Sequence, residues 1–240
     1  SLAEMGSLIV LCIYTGVKID KEKYGLKPVY DGRLLIKVLN LSVWSMLHAF
    51  ISVAPWFLFF VAIEHLGKTE LAISNITRSV SAIFFVIANS FAVTTGSLVS
   101  NAIGAGARKE LFPICHKVLK LGYAVGFPLV VVALLCNRWI VSFYTDNELL
   151  VELAFAPFVV MLLNYTFALP GYVYLNAVGG TGKTKITFLF QVTTTCVYLV
   201  YLYWLSFCIE ASLSLYLTAE YLFVILLALQ SIIYLKSKHY

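Results

Sequence analysis

The sequence predicts an all-α membrane protein whose core is a bundle of six transmembrane helices. Hydrophobic residues make up 61% of the 240-residue chain and charged residues only 12%, whereas a soluble domain carries about 25% charged residues. Six apolar runs have about the length, roughly 20 residues, that crosses a bilayer as a helix. Runs such as 82–88 and 127–135 are uninterrupted. They lack the alternation of transmembrane β-strands, so the spans are predicted to be helical.

The chain opens with an apolar run at 7–17, which is too short to span a bilayer. No basic segment precedes it, unlike in a secretory signal peptide. We therefore expect the end of a truncated helix, in a chain that is a fragment. The charged stretch 17–37 is expected to be a cytoplasmic linker. The domain assignment is 1–24 for the truncated transmembrane helix end and linker, and 25–240 for the six-helix lobe.

The basic residues predict the orientation of the six spans, which are 38–63, 71–99, 118–136, 150–177, 186–209 and 212–235. Of the 17 Lys and Arg residues, 14 belong to one side of the membrane and 3 to the other, and one of these 3, Arg78, lies inside a span. Because basic residues near helix ends stay in the cytoplasm, the segments 18–37, 101–117 and 179–185 and the C-terminus are predicted to be cytoplasmic. The predicted location is the plasma (inner) membrane.

Composition and spacing disfavour several classes of function. The net charge of +5 is dispersed between apolar runs rather than gathered on a soluble basic face, so no nucleic acid partner is expected. The five cysteines lack short paired spacing and the four histidines are scattered. Neither a metal site nor a catalytic group is therefore indicated, and we expect no enzyme. A membrane-embedded enzyme acting on lipids would need acids, histidines or a nucleophile clustered at one interface.

The glycine-rich loop at 179–184 has some likeness to a phosphate-binding loop. That pattern requires a glycine where this chain has Ala177, and it belongs between a strand and a helix. We therefore expect no nucleotide partner. The loop is interpreted as a tight cytoplasmic turn in which glycine supplies positive φ.

Three short motifs resemble the multidrug and toxic compound extrusion (MATE) family. The sequence NAIGAGARKE at 101–110 follows Gly96 and resembles the family's GQ-x-x-GAG feature, with Asn101 in place of Gln. The sequence FYTD at 143–146 resembles an external FT-x-D turn. AVGGTGKTK at 177–185 resembles a cytoplasmic glycine loop, with Gly179 in place of Arg. All three occur in the family's order and on the expected sides of the membrane.

The resemblance covers roughly 25–240 and implies helices seven to twelve of a twelve-helix transporter. It implies a cation-coupled antiporter, driven by sodium or protons, that exports drugs or other amphipathic organic compounds. The implied partners are the small-molecule substrate, membrane lipid and the missing N-terminal lobe, with no cofactor beyond the coupling ion. A family branch places carboxylates in the first and fourth helices of this half, but 38–63 and 153–177 contain no Asp or Glu. Coupling through those positions is therefore not expected.

A flippase for lipid-linked oligosaccharides or polysaccharides is the alternative function. Such a protein should line its cleft with several basic residues that bind pyrophosphate. Arg78 is the single basic residue placed well inside a predicted span, since Lys120 lies near the cytoplasmic end of 118–136, and this favours the drug antiporter.

Polar residues inside the spans have two interpretations, which are inter-helix hydrogen bonding and a polar cleft wall. Ser45, His48, Ser52 and Trp56 share one helix face, and Asn75, Arg78 and Asn89 are predicted to share another. Pro157 and Pro170 are expected to bend the fourth span. The candidate substrate or ion pathway consists of Ser52, Trp56, Asn75, Arg78, Asn89, Asn164, Tyr165, Gln191 and Glu220.

Arg78 and Glu220 are the charged residues placed well inside predicted spans. At a rise of ~1.5 Å per residue, both lie roughly 12 Å below the external surface. A charge at that depth is unfavourable by about 2.5–3.5 kcal/mol on insertion scales and is expected to find a partner. We predict that the two pair directly or share a network through Asn75 or Tyr216. The alternative is that each extends separately towards the surface.

Overall fold

The computed structural model describes residues 2–18, 30–209 and 211–237, and within these ranges it contains helices and no strands. The chain divides into two compact units, residues 1–40 and 41–240. The ten α-helices of the described residues are α1 (Leu2–Lys18), α2 (Gly32–Ile63), α3 (Lys68–Gly104), α4 (Leu111–Leu135), α5 (Asn137–Ser142), α6 (Glu148–Leu153), α7 (Phe155–Leu163), α8 (Tyr165–Gly180), α9 (Thr184–Phe207) and α10 (Leu213–Ser237).

Six of the helical segments are long and apolar enough to cross a membrane, as the sequence predicts. They are Gly32–Ile63, Lys68–Gly104, Arg108–Leu135, Glu148–Gly180, Thr184–Phe207 and Leu213–Ser237. Most of these spans extend beyond the predicted limits. The predicted limits follow the apolar residues, whereas helices continue past the hydrocarbon core into its polar boundary.

The predicted linker at 17–37 is wrong at its C-terminal end, because α2 begins at Gly32. Asp31 explains the early start. Its Oδ1 accepts hydrogen bonds from the backbone N–H groups of Arg33 at 2.9 Å and Leu34 at 3.2 Å. These are amide groups that a helix start leaves without an intrahelical partner. Residues 19–29 of the predicted linker lie outside the described residues.

The fourth span is divided into α6, α7 and α8 rather than forming one helix. The interruptions lie at Ala154 and Asn164, and both residues keep right-handed helical dihedral angles. Pro170 lies inside α8 and leaves the carbonyl of Thr166 without its usual amide donor. The hydroxyl of Tyr123 on α4 donates to that carbonyl at 2.7 Å. A neighbouring span therefore satisfies the backbone group that the proline frees.

Close helix crossings at glycines hold α8 in the bundle. A Cβ added to Gly180 would lie 2.5 Å from the carbonyl oxygen of Gly96 on α3. A Cβ added to Gly171 would lie 2.7 Å from the carbonyl oxygen of Val224 on α10. Neither position has space for a larger side chain. Small residues at interfaces allow helices in membranes to gain van der Waals contact that apolar side chains alone do not supply in lipid.

Candidate functional site

A buried ion pair lies at the centre of the six-helix unit. Nη2 of Arg78 on α3 is 2.6 Å from Oε1 of Glu220 on α10. Arg78 is 3% exposed and Glu220 is 8% exposed. The hydroxyl of Tyr198 on α9 donates to the same carboxylate oxygen at 3.3 Å. The predicted direct pair is therefore confirmed, and it joins three spans.

Aromatic rings from α2 cover the other side of the Arg78 guanidinium. Its Cζ atom lies 4.7 Å from the ring centroid of Trp56, 4.1 Å from Phe59 and 5.2 Å from Phe60. The Nε and Nη1 atoms are buried and make no hydrogen bond among the described residues. The electron-rich ring faces compensate part of the missing hydration of the cation. The arginine is thus held by one carboxylate and three rings.

Asn75 does not take the bridging role that the sequence suggested for it. Its Nδ2 donates to the carbonyl of Leu71 on its own helix at 3.0 Å, and the residue is exposed. Asn89 is also exposed, whereas Arg78 on the same helix is buried. The long arginine side chain reaches inward to Glu220. The short asparagine side chains remain at the surface of the unit.

A small cavity of about 40 Å³ adjoins the ion pair. Trp56, Asn164, Tyr165 and Glu220 are among its lining residues. Oδ1 of Asn164 is buried without a hydrogen-bond partner among the described residues, and the hydroxyl of Tyr165 donates to the carbonyl of Gly122 at 2.8 Å. The cavity has room for a water molecule, since one water needs a cavity volume of about 10–15 Å³. A water there would have both an amide oxygen and a carboxylate within its surroundings.

The remaining predicted residues lie apart from this cluster. Gln191 on α9 is 2% exposed inside the bundle, one turn from Thr194, whose hydroxyl accepts a bond from Gln230 at 3.3 Å. This arrangement is typical of inter-helix hydrogen bonding. Ser52 on α2 is half-buried, and its hydroxyl donates to the carbonyl of Ala49 at 2.7 Å.

A second and larger cavity, of about 620 Å³, lies between α2, α3, α8 and α9. His48 and Ser45 line it, as does Asn101 of the first motif. Ser97, Ser100 and Asn176 also line it and were missed by the sequence reasoning. They carry no charge and therefore did not stand out in the sequence. The small residues Gly96, Ser97 and Ser100 along one side of α3 were the pattern that could have predicted a cavity wall. No group of three or more His, Cys, Asp or Glu side chains in the described parts of the chain is placed to hold a metal ion.

Comparison with known proteins identifies the family. The MatE family model matches residues 45–204. Two solved structures share the fold, described as MATE in the bent conformation (TM-score 0.73, 19% identity, 85% of this chain and 45% of that one) and MATE in complex with MaL6 (TM-score 0.81, 15% identity, 97% and 54%).

A curated relative is Uncharacterized transporter C4B3.13 of Schizosaccharomyces pombe. It is 31% identical over 100 residues, which are 41% of this chain and 19% of the yeast protein. The chain thus spans about half the length of the solved MATE structures and a smaller part of the yeast relative. The family match covers well over half of the chain, and the six-helix fold agrees with it. The chain belongs to the MatE family of membrane transporters.

Proposed function

We propose that the chain acts as the C-terminal half of a MATE antiporter that exports drugs or other amphipathic organic compounds in exchange for sodium or protons. The observation that carries the proposal is the alignment of 97% of the chain with 54% of a solved MATE structure, at a TM-score of 0.81. A second, N-terminal lobe is the proposed partner and supplies the facing wall of the cleft. Secondary transporters commonly bind substrate between such repeats.

The distribution of charge supports placing the coupling ion in the other lobe. The helical segments Gly32–Ile63 and Phe155–Gly180 contain no Asp or Glu. Glu220 is already neutralised by Arg78 at 2.6 Å, so an added cation would leave a net positive charge in a buried site. Such a charge is strongly unfavourable away from water. We therefore expect sodium or proton binding outside this half, with no other cofactor and no nucleotide.

The same ion pair weighs against a flippase for lipid-linked saccharides. A pyrophosphate headgroup would need basic side chains that are free to bind it. Arg78 is occupied by Glu220 and covered by aromatic rings. The antiporter is therefore the better supported of the two functions.

The proposed orientation follows the basic residues, with the C-terminus in the cytoplasm of a cell whose plasma (inner) membrane holds the protein. A reporter fused after residue 240 that fluoresces only in the cytoplasm should be active. A reporter placed in the 143–146 turn should be inactive there. The opposite pattern would contradict the orientation.

Transport itself is tested with this chain joined to an N-terminal MATE lobe and reconstituted in liposomes. Sodium and proton gradients are imposed separately, and ethidium movement is recorded by fluorescence. Movement driven by one gradient and abolished by its collapse is the expected result. Ethidium movement that is equal with and without gradients would contradict antiport.

A further inference from the structure

The cavity of about 620 Å³ between α2, α3, α8 and α9 has the size of a ligand site and a wall without charge. Ligand pockets typically measure about 300–1,000 Å³. The described residues that line this cavity include serines, threonines, asparagines and a histidine, and no Asp, Glu, Lys or Arg is among them. Its polar groups are therefore hydroxyls, amides and one imidazole.

Several of these groups make no side-chain hydrogen bond to any described residue. Serine in a helix commonly bonds the carbonyl of the preceding turn, as Ser45 bonds Leu41 at 3.3 Å. Ser97, Ser100 and Asn101 are exposed to the cavity and make no side-chain hydrogen bond to any described residue. Nε2 of His48 is fully buried and likewise has no partner in the described part of the chain.

Unpaired polar groups at the end of a membrane-spanning helix need water or a ligand, and the segments 101–117 and 179–185, which contribute to this cavity, are predicted to face the cytoplasm. Hydrocarbon offers them no hydrogen bond, and leaving a hydroxyl or amide unpaired in an apolar medium is unfavourable. The cavity therefore faces an aqueous path rather than lipid. Gly96 and Gly180 also line it, and their contact across α3 and α8 brings polar backbone to the wall.

An aromatic cluster lies further along the same helices. The Phe85 ring is 6.0 Å from Trp56 and 5.6 Å from Tyr172, measured between centroids. Trp56 follows His48 by two helical turns, about 12 Å at ~1.5 Å per residue. Polar and aromatic surfaces therefore follow each other along α2, α3 and α8. This order fits a molecule with a hydroxyl-bearing part and an aromatic part.

We propose that this cavity binds the uncharged, polyhydroxylated part of the transported compound. The proposal rests on the transport function above and names the part of a substrate that this cavity would hold. A cation or anion entering the cavity would lose water of hydration and gain only the hydroxyl and amide dipoles of the lining residues. It would meet no side chain of opposite charge. A neutral hydroxylated group would exchange its hydrogen bonds to water for hydrogen bonds to the exposed side chains of Ser97, Ser100 and Asn101.

The test uses three probes that differ in one substituent. They are 4-methylumbelliferyl β-glucoside, the corresponding glucuronide with a carboxylate, and the corresponding glucosaminide with an amine. Binding to the full 240-residue chain in lipid nanodiscs is measured by equilibrium dialysis. The glucoside should bind saturably, with a Kd at least tenfold lower than either charged probe. Equal binding of the three, or tighter binding of a charged probe, would overturn the proposal.

Substitutions then locate the site. The double variant Ser97→Ala/Ser100→Ala should weaken glucoside binding about tenfold. It should keep its unfolding temperature, because these hydroxyls make no hydrogen bond to any described residue. Ser90→Ala is the matched control on α3, since that hydroxyl bonds Val86 at 2.8 Å. Ser97→Asp should shift preference towards the glucosaminide. Unchanged glucoside binding in the double variant would overturn the site.

These measurements use no ion gradient and no second lobe. Failure of antiport in liposomes would therefore leave the glucoside result standing. Failure of glucoside binding would leave the antiport assay standing.

Discussion

At the scale of single residues, the Arg78–Glu220 pair is the feature on which the interior depends most. Removing one partner of a buried ion pair leaves an uncompensated charge and destabilises a protein by about 3–5 kcal/mol. We expect Glu220→Gln to lower stability by that amount, and Arg78→Leu in the same background to restore part of it. Both changes are measured by unfolding the protein in detergent and recording its intrinsic fluorescence, without a thiol-reactive dye.

Glu152→Gln is the control for that experiment, because Glu152 is an exposed carboxylate and its loss should change stability by less than about 0.5 kcal/mol. A Glu220→Gln variant as stable as this control would contradict a structural role for the pair.

The aromatic cover over Arg78 gives a second residue-scale prediction. Phe59 is fully buried with its ring 4.1 Å from the guanidinium carbon, whereas Phe57 is 69% exposed. Phe59→Leu should therefore destabilise the protein by about 1–3 kcal/mol through lost cation–π contact and packing. Phe57→Leu should have little effect. Equal unfolding temperatures for the two variants would count against the cover.

The pair itself was predictable from sequence, but its surroundings were not. Hydropathy and the rise of a helix place Arg78 and Glu220 at similar depth, and a buried charge needs a partner. The contribution of Tyr198 and of Phe59 depends on which spans are neighbours. The spacing of residues along one span does not predict which other spans lie beside it in the bundle. For the same reason, the surface position of Asn75 was not predictable.

At the scale of elements, the crossing of α3 and α8 permits no Cβ at Gly180. Gly180→Ala should destabilise the bundle by about 1–3 kcal/mol, because the nearest atom is the backbone carbonyl of Gly96 at 2.5 Å and a backbone cannot easily move aside. Gly179→Ala is the adjacent control, where a Cβ would meet only a methyl group of Thr187 at 3.8 Å. If the two variants are equally stable, α3 and α8 can move apart at Gly180 without loss of stability, which would contradict the prediction.

The bond from Tyr123 to Thr166 gives an element-scale prediction for the fourth span. Tyr123→Phe leaves the Thr166 carbonyl without a donor and should lower stability by about 1–3 kcal/mol. In a Pro170→Ala background the restored amide at residue 170 can donate to that carbonyl, so the same substitution should have a smaller effect. The difference between the two measured losses is the test. If Tyr123→Phe lowers stability equally in both backgrounds, the bond from Tyr123 does not compensate for the amide that Pro170 lacks.

The helices were predictable in number and incompletely in extent. Apolar length finds the six spans, but the start of α2 at Gly32 depends on capping by Asp31. The fourth span contains two prolines, and its interruptions lie at Ala154 and Asn164. Pro157 has no amide to bond the carbonyl of Leu153, which directly precedes the first interruption. The final shape of that span depends on bonds from other helices, such as the one that Tyr123 donates.

At the scale of the whole molecule, two separate properties of the sequence agree. The basic residues alternate 14 to 3 between the two sides, and the family match spans residues 45–204. The alternation of basic residues agrees with the six crossings that the apolar runs predict, and the structure contains six segments able to make them. The large polar cavity was not predictable in the same way, because it is assembled from four helices that each contribute only a few small side chains.

The central claim is that this chain is one lobe of a two-lobe transporter. The 240-residue chain alone, reconstituted in liposomes with a sodium or proton gradient, should give no gradient-dependent ethidium flux. The reason is that it corresponds to 54% of a solved MATE chain and would offer one wall of a cleft that needs two. Flux should appear when an N-terminal MATE lobe is co-reconstituted. Robust gradient-dependent flux from the chain alone would contradict the claim.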